Sequence, residues 1–140
     1  MPKSSKSDES DPPLPDSLKV EPKKKLFFNA PFLKPQNTNI RLTNPGQKNM
    51  AWMAKWSKEQ NHVYSVYPTS GILKPDQKQS LELTLQPFPY TESNPPVSGI
   101  EKFWVKWTPT PDNKESGFST AWFKTASVTR KHVLPIHYAL

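Results

Sequence analysis

The sequence predicts an all-β protein, and three observations support this fold class. The 140 residues include 17 prolines, and a proline in the interior of a helix costs about 3 kcal/mol. Short segments of alternating apolar and polar residues follow one another from Leu18 onward, as in half-buried strands. No apolar stripe with the helical spacing of 3.6 residues extends beyond one or two turns. A β-sandwich or barrel in one domain is therefore expected.

The first 17 residues are expected to lie outside this domain. They contain one leucine, no aromatic residue, four prolines and five serines, which is too little apolar area to offset the entropy lost on ordering. Their net charge is −2. Because the whole chain has a net charge of +7, residues 18–140 have a net charge of +9. We predict a disordered N-terminal extension over residues 1–17 and one folded domain over residues 18–140.

The first half of the domain contains four predicted strands, separated by turn signals such as Asn44-Pro45-Gly46. They are Leu18–Val20, Lys25–Asn29, Thr38–Thr43 and Met50–Ser57. In the fourth strand the alternation directs Met50, Trp52 and Ala54 inward. The side chains between them are expected to face outward, namely Ala51, Met53 and Lys55.

The second half contains four more predicted strands and one short helical turn, Ser119–Ala126. The strands are the run around Tyr64 and Val66, Ser80–Leu85, Lys102–Trp107 and Val133–Tyr138. In the third of these, the inward phase holds Phe103, Val105 and Trp107. Trp107 is therefore predicted to be a core residue, whereas Lys102, Trp104 and Lys106 are predicted to face outward.

No catalytic or metal-binding motif is present in the sequence. The absence of cysteine excludes disulfides, thiolate catalysis and cysteine-based zinc sites. His62, His132 and His137 lack metal-ligand spacing, and His62 and His137 are expected to be solvated. Glu82 and Glu101 are single carboxylates without an evident partner. We therefore predict a binding or structural module that is not an enzyme and has no cofactor or metal.

The basic charge raises the question of nucleic acid as a partner. The aromatic residues keep strand phase and are expected in the core, and no glycine-rich arm, zinc module or RNP-like motif accompanies the lysines. Nucleic acid is therefore not an expected partner. No apolar run approaches the roughly 18 residues needed to span a membrane, and no signal peptide opens the chain. An intracellular protein without membrane insertion is expected.

Several segments of the domain resemble the major sperm protein (MSP) domain family. Leu26–Phe32 (LFFNAPF) is similar to the apolar-Phe-Asn-Ala-Pro-aromatic segment of that family. Trp107–Asp112 (WTPTPD) resembles the Trp-Thr-x-Thr-Pro-Asp stretch of nematode MSP. Trp122-Phe123, Arg130-Lys131 and Leu134–Tyr138 follow in the nematode order. The match extends over most of the domain.

The middle of the chain is also similar to the MSP domain of the VAP proteins. The matching segments are Asn44-Pro45, Gly71-Ile72, Leu85–Tyr90 and Lys102–Val105. Together the two resemblances imply an MSP/PapD-like fold, which is an immunoglobulin-like sandwich of seven strands without disulfides. They also imply cis prolines at Pro22 and Pro68. The segment Ser57–His62 departs from the family pattern because it is about two residues longer.

The resemblance implies two candidate functions. The first is an accessory protein that associates with MSP filaments or other sperm cytoskeletal proteins in the cytoplasm of the nematode sperm pseudopod. It would change filament assembly, bundling or stability in cell motility. The alternative is a VAP-like adaptor that binds acidic di-Phe (FFAT-type) peptides. An MSP homologue that self-assembles, beginning with a homodimer, is a third interpretation that the residues leave open.

The predicted protein-binding residues are Lys55, Lys102, Trp104 and Lys106. The resemblance implies that Lys55 and Lys102 match two lysines of the VAP groove, whereas Trp104 and Met53 replace a methionine and a lysine there. An outward tryptophan flanked by lysines is typical of an interface anchor. The alternative interpretation is a solvated face on which lysine stems cover Trp104.

Overall fold

A computed structural model describes residues 17–57, 62–91, 93–126 and 128–140. Within these ranges the chain forms nine strand segments and little helix. The strands are β1 (Lys19–Glu21), β2 (Leu26–Asn29), β3 (Gln36–Thr43), β4 (Met50–Trp56), β5 (Tyr64–Tyr67), β6 (Ser70–Leu73), β7 (Lys78–Leu85), β8 (Lys102–Pro109) and β9 (Arg130–Ala139). The short helix α1 (Trp122–Thr125) confirms the predicted helical turn. The prediction for residues 1–16 lies outside the described ranges.

The nine segments form two sheets, which confirms the predicted all-β sandwich. The four-stranded sheet has the order β1-β3-β7-β5, and the five-stranded sheet has the order β2-β9-β8-β4-β6. Cis Pro22 lies between β1 and β2, and cis Pro68 lies between β5 and β6. At both points the chain passes from one sheet to the other, so the segments correspond to the seven strands that the resemblance implied. Pro31 is a third cis proline, which was not predicted.

The core lies between the sheets and is built from the inward phase of each strand. Its fully buried side chains include Phe28, Ile40, Leu42, Trp52, Leu81, Leu83, Phe103, Val105, Leu134 and Ile136. Complete burial of one such side chain stabilises the fold by roughly 1.5–3 kcal/mol. Trp107 is 4% exposed, which confirms its predicted place in the core.

Two details of the strand predictions are wrong. Ala51 is buried, although the alternation predicted an outward side chain. Its register partner Thr108 is buried as well. The Thr108 hydroxyl donates a hydrogen bond to the carbonyl oxygen of Val128 at 2.6 Å. The chain that follows β8 thus returns over the outer face of this sheet. Strand β6 was not predicted because Ser-Gly-Ile-Leu has no alternating pattern.

The predicted turn at Asn44 is held by a buried side chain. The Asn44 amide nitrogen donates hydrogen bonds to the carbonyl oxygens of Lys48 and Leu73, each at 2.8 Å. Its side-chain oxygen accepts one from the Gly46 N–H at 3.0 Å. The turn that leads into β4 is therefore tied to the end of β6. No helix in the described ranges is long and apolar enough to cross a membrane.

Candidate functional site

The four predicted binding residues lie on one surface, the outer face of the five-stranded sheet. Lys55 on β4 is the register partner of Trp104 on β8, and Lys106 is the partner of Met53. Lys55 and Lys102 are exposed, whereas Trp104 and Lys106 are partly buried. Alternation predicted that these side chains point outward from their strands, and the pairing of β4 with β8 brings them onto a common face.

A further lysine, which the sequence analysis missed, completes this surface. Lys131 on β9 is the register partner of Lys106, and its ammonium nitrogen lies 5.8 Å from the centroid of the Trp104 ring. Val133, 38% exposed, is paired directly with Trp104. We call the surface formed by Lys55, Lys102, Trp104, Lys106 and Lys131 the basic face.

Lys106 is less open to a partner than the other lysines of the basic face. Its ammonium nitrogen lies 5.4 Å from the centroid of the Phe123 ring on α1. Phe123 in turn packs near Phe118, at a centroid distance of 6.1 Å. A cation above an aromatic face is held by the ring quadrupole. Lys55 and Lys102 are exposed and are therefore more available than Lys106 to an acidic partner.

The charge of the five-stranded sheet has a single sign. Its strands contain Lys55, Lys102, Lys106, Arg130 and Lys131 and no aspartate or glutamate. The four-stranded sheet is mixed, since it carries Glu21 and Glu82 besides its basic residues. A surface of one sign raises the local concentration of oppositely charged partners and accelerates their encounter.

An open cleft of about 420 Å³ adjoins Lys55 at the β6 side of the sheet. Met53, Lys55 and Trp56 line it from β4, and Ser70 lines it from β6. Phe118 also lines the cleft. The cleft thus combines apolar walls with one cation.

A buried polar cluster lies behind the basic face, and the sequence analysis did not predict it. The Glu101 carboxyl accepts hydrogen bonds from the Tyr64 hydroxyl at 3.0 Å and from the Tyr138 hydroxyl. The Nδ1 atom of His62 lies 2.8 Å from the same carboxyl oxygen and 2.7 Å from the Tyr138 oxygen. The predictions of a solvated His62 and an unpartnered Glu101 are therefore wrong.

Burial determines the ionisation of the two phenols in this cluster. Burial, together with hydrogen bonding to Glu101, raises the pKa of Tyr138 far above its ordinary value. Burial is also the largest cause of the raised pKa of Tyr64. Both hydroxyls therefore remain protonated and can donate to the Glu101 carboxyl. The inward phase of both tyrosines was a usable signal, because buried phenols need a polar partner.

The cluster is closed to a substrate. Glu101 is fully buried, and the Phe88 ring stacks on His62 at a centroid distance of 4.1 Å. Its position gives it a structural role, since Glu101 directly precedes Lys102 of the basic face. The Lys102 N–H donates to the Ser57 hydroxyl at 2.7 Å. Among the described residues, no group of His, Asp or Glu side chains could hold a metal ion.

The other two histidines lie outside the buried cluster. The Nε2 atom of His132 is 2.8 Å from the carbonyl oxygen of Lys23, and the His137 ring is 5.7 Å from the Phe27 ring. His137 faces outward as predicted but is half-buried.

Comparisons with known proteins identify relatives of this chain. The family model described as the MSP (Major sperm protein) domain matches residues 17–127. The Major sperm protein isoform alpha of Ascaris suum is 28% identical over 126 residues, covering 90% of this chain and 95% of that protein. Major sperm protein 1 of Globodera rostochiensis is 29% identical over 124 residues, with 89% and 94% coverage.

Solved structures show the same fold at lower identity. WR4, a C. elegans MSP family member, has a TM-score of 0.62 at 20% identity, covering 87% of this chain and 97% of that one. The YadV chaperone has a TM-score of 0.59 at 10% identity, covering 87% and 51%. These similarities establish an MSP/PapD-like sandwich.

Proposed function

Because the chain belongs to the MSP (Major sperm protein) domain family, we propose that it is a non-enzymatic protein that binds MSP filaments. It would act in the cytoplasm of the nematode sperm pseudopod and change filament assembly, bundling or stability. The observation that carries this proposal is the basic face, where Lys55 and Lys102 flank Trp104 without an acidic residue in any strand of the sheet. Trp104 supplies contact area, and the lysines select an acidic partner surface.

Co-sedimentation with filaments assembled from a purified nematode MSP tests this proposal. We expect the Lys102→Glu, Trp104→Ala double variant to lose co-sedimentation while it keeps the melting temperature of the unmodified protein. Lys78→Glu is the matched control, because it makes the same charge change on an exposed position of the four-stranded sheet. The proposal is wrong if the double variant and the control sediment equally with the filaments.

The separate contributions of charge and contact area are also measurable. Raising the salt concentration should weaken filament binding, since exposed charges are screened within about 8–10 Å. Trp104→Ala should weaken binding by a factor that does not depend on salt. Lys106→Ala should have a smaller effect than Trp104→Ala, because the Lys106 ammonium is already held above Phe123.

A second candidate function is binding of acidic di-Phe peptides, as in the VAP-like alternative. The exposed Val133 beside Trp104 favours it, because an apolar strip between lysines matches a peptide that carries both phenylalanine and acidic residues. Direct binding of the peptide separates the two functions. A peptide receptor would bind such a peptide whether or not MSP filaments are present, and its Lys102→Glu variant would bind the peptide more weakly.

Self-assembly is tested by turbidity of the pure protein. A filament-forming MSP homologue would show turbidity that rises with protein concentration. An accessory protein would remain clear and would alter the turbidity of added MSP.

A further inference from the structure

A patch of exposed apolar side chains lies on the β2 side of the five-stranded sheet, near the start of β8. Phe27 on β2 is 50% exposed and is the register partner of His137 on β9. On the other side of β9, Ile100 is 42% exposed and continues the outward phase of β8. Pro135, which is half-buried, lies two residues before His137 in the same phase. We call Phe27, Ile100, Pro135 and His137 the apolar patch.

The apolar patch is held in place by backbone hydrogen bonds. The Ile136 N–H donates to the carbonyl oxygen of Glu101 at 2.9 Å, and the Gly99 N–H donates to the carbonyl oxygen of Ile136 at 2.8 Å. These bonds fix Ile100 beside β9, although it precedes the first residue of β8. A Cβ atom at Gly99 would lie 3.8 Å from Nε2 of His137, so this turn lies close to the His137 ring. Because the patch is already ordered, docking on it requires little rearrangement.

Three consecutive lysines border the apolar patch. Lys23, Lys24 and Lys25 lie between β1 and β2, and all three are exposed. The ammonium nitrogen of Lys25 is 5.3 Å from the centroid of the Phe27 ring. The carbonyl oxygen of Lys23 is 2.8 Å from Nε2 of His132, which ties this segment to β9. Residues 22–35 and 128–140 contain no Asp or Glu, so these parts of the chain present positive charge alone.

The combination of apolar and basic groups favours an anionic lipid bilayer as the occupant. Exposed apolar side chains bordered by lysines are typical of proteins that lie at a membrane interface. Consecutive lysines project in different directions, so one protein surface could not pair with all three, whereas a layer of lipid headgroups surrounds them. Two copies of this chain joined through the patch would bring their lysines together, which charge repulsion opposes.

We propose that the apolar patch and Lys23–Lys25 dock this chain on the surface of an anionic lipid bilayer. Phe27 and Ile100 would enter the boundary between headgroups and acyl chains, and the lysines would contact the anionic headgroups. This is adsorption, with the sandwich outside the hydrocarbon core. The inference extends beyond the proposed function, because it involves a lipid surface and neither Lys55 nor Trp104.

Co-sedimentation of the full chain with lipid vesicles tests the charge. We expect binding to vesicles of equal parts phosphatidylserine and phosphatidylcholine and little binding to phosphatidylcholine alone. The Lys24→Glu, Lys25→Glu variant should bind the mixed vesicles at least about 25-fold more weakly, since each lysine near such a surface contributes roughly a factor of five. Lys78→Glu, Lys114→Glu is the matched control, because it makes the same change in net charge at exposed positions away from the patch. Equal binding by the two variants would overturn the proposal.

A second variant tests the apolar contact. Phe27→Ala should weaken vesicle binding by about 5- to 10-fold, because part of an exposed aromatic ring no longer enters the interface. Tyr67→Ala is the matched control, since it removes a ring that is 80% exposed on the other sheet. If Phe27→Ala does not fold, Ile100→Ala tests the same contact. Vesicle binding that none of these apolar variants changes would overturn the proposal.

Two further measurements distinguish a bilayer from other occupants. Soluble glycerophosphoserine, which carries the headgroup without acyl chains, should not displace the protein from vesicles, and displacement would overturn the proposal. Analytical ultracentrifugation should show no concentration-dependent dimer that Phe27→Ala abolishes, since such a dimer would identify a second copy as the occupant. Lys102 and Trp104 are unchanged in all these variants, so filament binding should be retained and the two proposals fail separately.

Discussion

Removal of the Tyr138 hydroxyl tests the buried cluster behind the basic face. This hydroxyl contacts the Glu101 carboxyl, the Tyr64 hydroxyl and the Nδ1 atom of His62. In Tyr138→Phe these buried groups lose a partner, while the ring keeps its edge contact with Phe32 at a centroid distance of 5.7 Å. We expect the variant to lose about 1–3 kcal/mol of unfolding free energy at pH 7, the usual cost of a buried polar group left unsatisfied.

The pH dependence of this loss is a sharper test than its size. Burial raises the pKa of both Tyr64 and Tyr138 above the value of about 10 found in unfolded chains. Above pH 10 the unfolded chain releases these protons while the native protein retains them, so the free energy of unfolding falls as pH rises. Each tyrosine contributes a slope of up to about 1.4 kcal/mol per pH unit. The unmodified protein has two such groups, and Tyr138→Phe has one.

The stability difference between the two proteins should therefore shrink by about 1.4 kcal/mol between pH 9 and pH 11. Urea unfolding followed by tryptophan fluorescence at pH 7, 9, 10 and 11 measures it. Tyr67→Phe is the control, because it deletes the same hydroxyl from a side chain that is 80% exposed. Parallel curves for Tyr138→Phe and the unmodified protein would refute the assignment of a buried, proton-retaining Tyr138.

Three further predictions concern stability. Trp107→Ala should cost about 3–5 kcal/mol in urea unfolding, because it empties a buried site, and a cost like that of Trp104→Ala would contradict the core assignment. Asn44→Ala should cost about 2 kcal/mol or more by the same assay, since the side chain makes three hydrogen bonds to backbone groups; an unchanged midpoint would show that water replaces them. Deletion of residues 1–16 should leave the calorimetric melting temperature nearly unchanged, whereas a loss of several degrees would show that this segment packs on the sandwich.

The sequence alone predicted eight of the nine strand segments in the described ranges, most of the core and the orientation of the predicted binding residues. Alternation places neighbouring side chains on opposite faces of any strand, so Trp107 and Trp104 were assigned correctly without knowledge of the sheet order. The turn at Asn44 and the cis prolines Pro22 and Pro68 were likewise accessible, the former from local chemistry and the latter from the resemblance to the MSP family.

Only the tertiary structure determines which residues contact each face of the sheets. Lys131 reaches Trp104 only because β9 pairs with β8 in a particular register, and the buried Thr108 beside Ala51 bonds to Val128, which lies 20 residues later in the chain. The buried cluster joins His62 and Glu101, which are 39 residues apart in the chain. Period-two alternation specifies the direction of a side chain but not the neighbouring strand or its register. Contacts between distant residues depend on both, and they arise only when the sheets assemble.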